Sequence, residues 1–416
     1  MPRSSIVSRI VHDAVVQQPR PAPLGTRWWE TLPRGFSTED ESFSLALRDA
    51  LPVRAGAAAD VLVRTIGACL VGGLAMPLGY RPKLLQRSFD DLRLVGPMAE
   101  SGDPTRFFAK PPRGVPVQTR PARLPLNRPK DGLCEDLRFT SPYAPVNPRL
   151  RQSYLANERN RRAHVRLWRH HDGPRPMVIA VHGFSADLYH LNEWFFALPW
   201  LYAVGCDVAL FTLPFHGKRQ APLSPFSGHG FFAGGASHIN EAFGQAICDL
   251  RVLIDHLIEE RGVPRVGITG VSLGGFTSAL LAAVEPRLSF AVPNVPVTSL
   301  PDLVLEWQPI GTILRGALAA TGRSIVDARY LLSASSPLTY RPLLGRERLM
   351  VIGGVGDRLA PPKHARLLWE HWDRCRLHWF PGNHLIHLDR GAYLREMGKF
   401  LGGLGFFEGL PARAAE

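Results

Sequence analysis

Apolar runs and amphipathic stretches alternate along the chain from about residue 163 onward. Six apolar runs predict strands, at Pro176–His182, Asp207–Leu213, Val263–Val271, Leu288–Pro296, Arg348–Gly353 and Arg376–Phe380. Four amphipathic stretches predict helices, at His238–Glu260, Leu273–Val284, Pro362–Asp373 and Asp389–Leu404. Apolar strands separated by helices are typical of a mostly parallel sheet that is covered by helices on both faces. The pattern therefore predicts an α/β fold.

The segment over 1–162 lacks this alternation and is predicted to form a long N-terminal extension. Residues 1–60 mix proline, glycine and both charge signs, which indicates a docked or loosely ordered arm. Residues 61–80 are the most hydrophobic stretch, but an arginine and a proline leave them short of the ~20 apolar residues that a spanning helix needs. A buried helix is favoured there over an interfacial segment. Residues 111–150, rich in proline and arginine, predict a linker or an extended wrap.

Composition places the chain among globular proteins, with 416 residues, 45% of them hydrophobic and 20% charged. These values exclude a collagen, a disulfide knot and a wholly disordered chain. The five cysteines are odd in number and never form C-x-x-C, so neither a disulfide framework nor a tetrahedral zinc site is predicted. The first residues show neither the apolar run of a signal peptide nor a twin arginine. We therefore predict a cytoplasmic protein.

The net charge of +13 is concentrated in the first two fifths of the chain. Residues 1–174 hold 27 Lys and Arg against 16 Asp and Glu, whereas residues 175–416 hold 22 against 20. Such a basic region either only raises solubility or contacts an anionic membrane or acidic partner. No zinc-finger spacing, aromatic RNP pattern or helix-turn-helix accompanies it, so no nucleic-acid partner is predicted.

A serine stands between a predicted strand and a predicted helix in the sequence Gly-Val-Ser-Leu-Gly-Gly, residues 270–275. Glycines on both sides let the chain turn sharply from strand to helix and expose the serine at the strand end. The G-x-S-x-G spacing is a weak signal by itself. Its place between a buried strand and a helix predicts that Ser272 is a nucleophile rather than part of a plain tight turn.

A second strand end supplies candidate donors for an oxyanion. The apolar run of residues 178–181 continues into His182, Gly183 and Phe184. In this arrangement the loop after the strand supplies one backbone N–H and the residue after the nucleophile supplies another, which predicts Phe184 and Leu273 as donors. We interpret His182 as a structural residue that braces the loop.

A serine nucleophile needs a base and an acid that orients it. Asp357 follows the predicted strand at 348–353, and His384 follows the predicted strand at 376–380, each in a loop. The chain order Ser272, Asp357, His384 is the serine–acid–histidine order of one hydrolase architecture. His387 is the main alternative base. Weaker candidates are the histidines and acids His216, His229, His238, His364, His371, Asp302 and Asp373.

With these motifs the sequence resembles the α/β-hydrolase superfamily, over about residues 163–404. The resemblance implies a Ser-His-Asp hydrolase that needs no metal and no organic cofactor. Residues 192–196 and 213–219 are similar to a branch of serine esterase- and lipase-like proteins. The domain organisation predicted from it is a basic extension over 1–162, a hydrolase domain over 163–408 with a helical cap at about 297–347, and a tail over 409–416.

The predicted function is hydrolysis of a carboxylic ester through an acyl-enzyme on Ser272. Aromatic residues in segments near the strand ends either line a pocket for an apolar acyl group or belong to the core: Trp194, Phe195, Phe196, Trp200, Phe231 and Phe232. Together with the basic N-terminal region they favour a lipid or an acylated anionic substrate, with peripheral contact to an anionic membrane.

The same residues permit other functions. Acyl transfer to an alcohol or amine, thioester hydrolysis and peptide hydrolysis all use such a triad. A different class is a non-catalytic scaffold that presents the basic surface to a partner, for which a broken triad would be the distinguishing feature. All three members are present here.

Overall fold

The computed structural model describes residues 27–41, 43–70, 82–123 and 125–408. The predicted tail over 409–416, the part of the predicted arm over 1–26 and the part of the hydrophobic stretch over 71–80 lie outside the described residues.

In the described residues, nine strands form one mixed sheet. The strands are β1 (Gln118–Pro121), β2 (Gly132–Thr140), β3 (Arg162–His170), β4 (Met177–Val181), β5 (Asp207–Phe211), β6 (Val266–Val271), β7 (Leu288–Asn294), β8 (Met350–Gly354) and β9 (Arg376–Phe380). Their spatial order is β1-β2-β3-β5-β4-β6-β7-β8-β9. The pairs β1/β2, β2/β3 and β3/β5 are antiparallel, and every pair from β5 to β9 is parallel.

The α-helices of the described residues lie before, between and after the strands. They are α1 (Trp28–Thr31), α2 (Leu51–Leu70), α3 (Pro82–Asp90), α4 (Leu92–Glu100), α5 (Arg151–Leu155), α6 (Tyr189–Phe195), α7 (Leu198–Ala203), α8 (His229–Phe232), α9 (Ala236–Asp255), α10 (Leu273–Ala282), α11 (Leu300–Glu306), α12 (Ile310–Ala320), α13 (Ile325–Leu331), α14 (Pro362–His371) and α15 (Arg390–Gly403). Short helical turns occur at Pro104–Arg106, Gly217–Arg219, His256–Glu260, Ser333–Ser335 and Arg346–Arg348.

The six predicted strands are confirmed as β4 to β9. Strands β4, β5 and β6 are buried along their whole length, because helices cover both faces of the sheet. Their register places Ile179 opposite both Ala209 and Ile268. The apolar side chains form one large cluster on one face, with α9 and α10, and a second cluster on the other face, with α7 and α15. A sheet buried on both faces explains why these strands are continuous apolar runs.

Helices α11, α12 and α13 lie between β7 and β8, in the segment predicted as a cap, and are called the cap below. Helix α13 contacts α1, α4 and α11, so the cap is packed against the N-terminal part of the chain. Tyr330 of α13 stacks on Trp29 with ring centroids 5.0 Å apart. The N-terminal segment is therefore packed against the cap.

The structure differs from the sequence prediction in the first strands of the sheet and in the hydrophobic stretch. Strands β1 and β2 come from residues 118–140, part of the predicted linker, so the sheet begins before residue 163, and β3 was not predicted either. Helix α2 covers the described part of the hydrophobic stretch, but Leu62 and Ile66 are 61% and 52% exposed, so the prediction of a buried helix was wrong there. Among the described residues, no helix has the length and hydrophobicity to cross a membrane.

Candidate active site

Ser272 occupies a sharp turn between β6 and α10. Its backbone has φ 55° and ψ −112°, a conformation that non-glycine residues adopt rarely and at an energetic cost. A Cβ atom at Gly270 would lie 2.2 Å from the carbonyl oxygen of Gly274, and one at Gly274 would lie 2.0 Å from that of Val181. Glycine is therefore required at both positions, and the serine is held in the elbow conformation that nucleophiles adopt in hydrolases.

Asp357 and His384 are in direct contact in the loops after β8 and β9. His384 Nδ1 lies 2.7 Å from Asp357 Oδ2, and both residues are buried. The other carboxylate oxygen of Asp357 accepts hydrogen bonds from the backbone N–H groups of Leu359 and Ala360, at 2.9 and 2.8 Å. The carboxylate is thereby fixed, and it orients the imidazole so that Nε2 points away from it.

Opposing effects act on the pKa of His384. Burial disfavours the charged ring and alone would lower the pKa, but the charge and hydrogen bond of Asp357, with the charge of Asp60, outweigh burial. The pKa of His384 is therefore raised above its ordinary value of 6.5. The ring becomes a free base only when the pH exceeds this raised pKa.

The strand order brings the three predicted catalytic residues to one edge of the sheet. Strands β6, β7, β8 and β9 are parallel neighbours, so the loops after them emerge on the same side. The Ser272 N–H donates to Asn294 O at 3.0 Å, and the Val295 N–H donates to Ile352 O at 2.8 Å, so the strand ends are tied together. Ser272 follows β6, and the Asp357–His384 pair follows β8 and β9.

The candidate oxyanion donors lie beside the elbow. A Cβ atom at Gly183 would be 3.5 Å from Ser272 Cβ, which places the loop that carries Phe184 against the serine. Leu273 is the first residue of α10, so its N–H has no acceptor in a preceding helical turn. The positive end of the helix dipole also favours negative charge at this point.

His182 braces the same loop, as the sequence indicates. Its Nδ1 donates to Gly183 O at 2.7 Å, and its Nε2 accepts from the Leu213 N–H at 3.0 Å. Burial lowers the pKa of His182. Both ring nitrogens are occupied by neutral hydrogen bonds, so this histidine is not available as a base.

A large apolar cavity of about 390 Å³ opens at Ser272. Phe184, Phe226, Phe232 and Leu273 line it near the serine, and Leu84 and Leu85 of α3 line it from the N-terminal segment. The cap and its flanking residues supply most of the remaining wall: Leu300, Leu303, Val304, Trp307, Ile310, Ile313, Leu314, Ala317, Leu318, Ala328, Leu331 and Leu332. A cavity of this size and lining favours a hydrocarbon group of the ligand.

The aromatic residues singled out in the sequence divide between the cavity and the core. Phe232 lines the cavity. Phe196 and Phe231 are buried in the two core clusters, and Phe195 and Trp200 pack against one of them. Trp194 is 53% exposed, with the Arg390 guanidinium 4.8 Å from its ring centre.

The alternative bases have other partners. His387 stacks on Phe380 with ring centroids 3.6 Å apart, and burial lowers its pKa to about 3. His371 Nε2 lies 2.9 Å from Tyr340 O, and burial lowers the pKa of this histidine to about 4. His364 Nδ1 accepts from the backbone of the loop after β7.

The remaining candidate bases and acids also have other partners or surroundings. His216 Nδ1 lies 2.8 Å from Pro214 O, and burial lowers the pKa of His238 to about 4. His229 lines the cavity. The alternative acids form ion pairs elsewhere, Asp302 with Arg329 at 2.7 Å and Asp373 with Arg341 at 3.2 Å.

Sequence reasoning missed Asp60, a buried carboxylate of α2. Its Oδ2 accepts from the backbone N–H of His384 at 2.9 Å and from that of Arg358 at 3.0 Å. The sequence offered one signal, because Asp60 is the only acidic residue in this mostly apolar helix, which otherwise has two charged residues, Arg54 and Arg64. In the part of the chain that the structure describes, no group of three or more His, Cys, Asp and Glu side chains is arranged to hold a metal ion.

Comparison with known proteins gives a family match and a fold match. The model of the family described as "Alpha/beta hydrolase domain containing 18" matches residues 127–301, a range that includes Ser272 and ends before Asp357. Two uncharacterized proteins of Mycobacterium tuberculosis, MT2702 and Rv2627c, are each 29% identical over 286 residues. The alignments cover 68% of this chain and 66% of each relative, just under two thirds of its length.

Solved esterases have a similar architecture. An acetyl xylan esterase from Paenibacillus sp. R4 aligns with a TM-score of 0.51 at 14% identity, over 77% of this chain and 94% of that one. Acetyl xylan esterase 1 from Thermoanaerobacterium aligns with a TM-score of 0.47 at 18% identity, over 77% and 92% of the two chains. The Paenibacillus structure shows that the fold is shared. A sequence identity this low gives no information about the substrate of this chain.

Proposed function

We propose that this chain, a member of the α/β-hydrolase superfamily, is a serine hydrolase that cleaves carboxylic esters with an apolar acyl group longer than acetyl. The observation that carries the proposal is the strained Ser272 elbow, which opens onto the apolar cavity at the sheet edge where Asp357 and His384 are paired. Superfamily membership and fold support hydrolase-like activity in general. The triad, the acyl-enzyme and the acyl chain are our proposals.

The reaction begins with proton transfer from Ser272 Oγ to His384 Nε2 as Oγ bonds to the ester carbonyl carbon. The carbonyl oxygen becomes an oxyanion that accepts hydrogen bonds from the Phe184 and Leu273 N–H groups. Asp357 stabilises the imidazolium and keeps the proton on Nδ1. The carbon–oxygen bond to the alcohol then breaks, and His384 returns its proton to the departing alkoxide.

Water completes the cycle. His384 Nε2 takes a proton from water as the water oxygen attacks the acyl carbon, and the oxyanion forms again at the same donors. Ser272 Oγ leaves with the proton from His384, and the carboxylic acid is released. The net reaction consumes one ester and one water and gives one acid and one alcohol.

The volume of the cavity is the reason for proposing a long acyl group. An acetyl group is too small to fill about 390 Å³, so an acetyl ester would make no contact with most of the apolar wall and gain no binding energy from it. Each methylene buried against this wall contributes about 0.8 kcal/mol, which is about fourfold in kcat/KM per methylene until the cavity is filled. We therefore expect rates to rise from acetyl to octanoyl esters of p-nitrophenol.

Labelling with a fluorophosphonate probe tests the proposal, with the modified residue located by mass spectrometry. We expect covalent labelling of the folded chain at Ser272, loss of labelling on heat denaturation, and hydrolysis of p-nitrophenyl octanoate. The Ser272→Ala variant should lose both labelling and turnover. The matched control Ser153→Ala removes an exposed hydroxyl of α5 and should keep both.

A folded chain that is neither labelled nor active would overturn the proposal and favour the non-catalytic scaffold. Octanoyl transfer to an added alcohol at the expense of hydrolysis would instead assign acyl transfer to the same residues. A preference for acetyl over octanoyl esters would contradict only the proposed acyl group and would leave the proposed ester hydrolysis in place.

A further inference from the structure

A second buried carboxylate touches both loops that carry the proposed acid and base. Asp60 is 1% exposed, and its Oδ2 accepts two backbone hydrogen bonds, from His384 at 2.9 Å and from Arg358 at 3.0 Å. Arg358 is the residue after Asp357, so one oxygen atom bridges the acid loop to the base loop. Its Oδ1 is also buried and has no hydrogen-bond partner among the described residues.

Asp60 belongs to a face of α2 that is fitted to these two loops. Residues 53, 56, 60 and 64 recur at the three- and four-residue spacing of one helical face. The Asn383 side-chain amide donates to Gly56 O at 2.9 Å. Arg64 Nη1 donates to Arg358 O at 3.0 Å. Each of these contacts joins α2 to a residue adjacent to Asp357 or His384.

Val53 lies at the N-terminal end of this face of α2. A Cβ atom at Gly356 would lie 2.8 Å from Val53 Cγ1 and 2.7 Å from Gly382 O, so both loops and the helix meet at Gly356. Val53 also packs with Val355 in a small apolar cluster. The helix and the two loops therefore form one packed unit, although they come from opposite ends of the chain.

We infer that Asp60 is a positioning residue of the active site, and that helix α2 of the N-terminal segment completes the Asp357–His384 pair. The inference rests on the proposed function, in which His384 is the base. Asp60 acts through the backbone of His384 and Arg358 and does not touch the reacting atoms. It holds the two loops at the separation that the 2.7 Å contact between Asp357 and His384 requires.

The charge of Asp60 also acts on His384. The ionisable groups that face the His384 ring are Asp357 from the acid loop, Asp60 from α2 and His387 from the base loop. Burial, and next the neighbouring charge of Asp357, raise the pKa of Asp60, while the two backbone N–H donors and His384 oppose that rise. An ionised Asp60 favours protonated His384, so removing its charge should lower the pKa of His384.

The test separates the charge of Asp60 from its hydrogen bonds. Asp60→Asn keeps an oxygen that can accept both N–H groups and removes the charge, whereas Asp60→Ala removes both. The imidazole of His384 is titrated by NMR with labelled histidine in the Ser272→Ala background and assigned with His384→Gln. This measurement does not depend on turnover. The rate of fluorophosphonate labelling is measured against pH in chains that keep Ser272.

We expect Asp60→Asn to move both the His384 titration midpoint and the labelling profile to lower pH. Asp60→Ala should also slow labelling about tenfold or more, because small displacements of a catalytic group are costly. The matched control is Asp91→Asn, a buried carboxylate of the N-terminal segment that accepts from Ser237 at 2.7 Å and pairs with Arg149. It should leave the midpoint unchanged.

The inference is overturned if Asp60→Ala folds and is labelled at the wild-type rate while Asp60→Asn keeps the wild-type titration midpoint. If Asp60→Ala does not fold, the titration midpoint of Asp60→Asn decides whether this carboxylate acts on His384. Failure of the proposed function has a different signature, namely a wild-type chain that is not labelled at Ser272.

Discussion

The nucleophile half of the candidate site, around Ser272, is built from backbone in closely packed strands, whereas the acid–base half, around Asp357 and His384, is held by side chains from distant parts of the chain. In the nucleophile half, glycines at 270 and 274 leave no room for a side chain. In the acid–base half, Asp60 of the N-terminal segment bridges two loops near the C-terminus. The family match also includes the first half and stops before the second.

This difference indicates two kinds of sensitivity. Close backbone packing around Ser272 makes the nucleophile half sensitive to added side-chain volume, so larger residues at its glycines should destabilise the fold. The acid–base half depends on charges and hydrogen bonds that fix one tautomer and one pKa, so substitutions there should act on rate and pH dependence. Four predictions test this contrast, from the largest expected effect to the smallest.

Asp357→Asn should lower kcat by about 10⁴-fold with little change in fold. The asparagine amide would donate to His384 Nδ1, which moves the ring proton to Nε2, and Nε2 could then no longer accept the proton of Ser272. Hydrolysis of p-nitrophenyl octanoate measures the loss, and urea unfolding measures stability. Asp373→Asn, which changes an exposed acid in an ion pair with Arg341, should keep wild-type kcat. More than a tenth of wild-type activity in Asp357→Asn would remove this residue from the mechanism.

Gly274→Ala should destabilise the fold by about 3 kcal/mol. The new methyl group would lie 2.0 Å from Val181 O, so the elbow and β4 must separate. Gly316→Ala in α12 is the matched control, because nothing lies within 4 Å of a Cβ atom there. That control should be neutral or gain up to about 1 kcal/mol, since alanine is the better helix former. Equal urea midpoints for the two variants would show that the nucleophile half tolerates an added methyl group.

Ala317→Phe should lower kcat/KM for octanoyl esters by about 10- to 100-fold and leave acetyl esters nearly unchanged. The larger ring would fill part of the cavity that Ala317 lines and leave less room for a long acyl chain, whereas an acetyl group needs little of this volume. Ala319→Phe on the exposed side of the same helix is the control and should change neither rate. Parallel loss for both esters would mean that the acyl chain does not enter the cap.

The sequence predicts the two halves of the site unequally. The residues Ser272, Asp357 and His384 can be proposed from the G-x-S-x-G motif, the ends of predicted strands and the chain order, because loops after parallel strands meet at one edge. Asp60 cannot, since its role depends on a contact with loops at the far end of the chain. A single carboxylate in a mostly apolar helix suggests a buried partner, but the sequence does not say which one.

The same contrast holds for the fold. Strand β9 agrees with its prediction at both ends. Strands β2 and β3 escape prediction because they carry charges that are neutralised across the strands. Arg166 pairs with Asp136 at 2.8 Å and Arg169 with Glu135 at 2.9 Å, yet in the sequence these residues interrupt the hydrophobic pattern. The sequence alone does not show that a charged residue is buried, because its burial depends on a partner that only the structure identifies.

The smallest effect should be the pH dependence that the acid–base half gives to the protein. Because the pKa of His384 is raised, kcat/KM should rise with pH through a midpoint above 6.5. A histidine whose folded pKa exceeds its unfolded pKa contributes stability below pH 6.5, and that contribution is lost as pH rises through the folded pKa. The difference in unfolding free energy between wild type and His384→Gln should therefore be larger at pH 5.5 than at pH 9.

The difference between wild type and His384→Gln does not contain the contributions of His371 and His378, since both histidines are present in both chains and titrate alike. Burial lowers the pKa of each to about 4, so they stabilise the fold as pH rises, in the opposite direction to His384. The nucleophile half has no such signature, so Ser272→Ala should keep the wild-type pH dependence of stability. A pH-independent difference for His384→Gln would mean that Asp357 and Asp60 do not offset the burial of the ring.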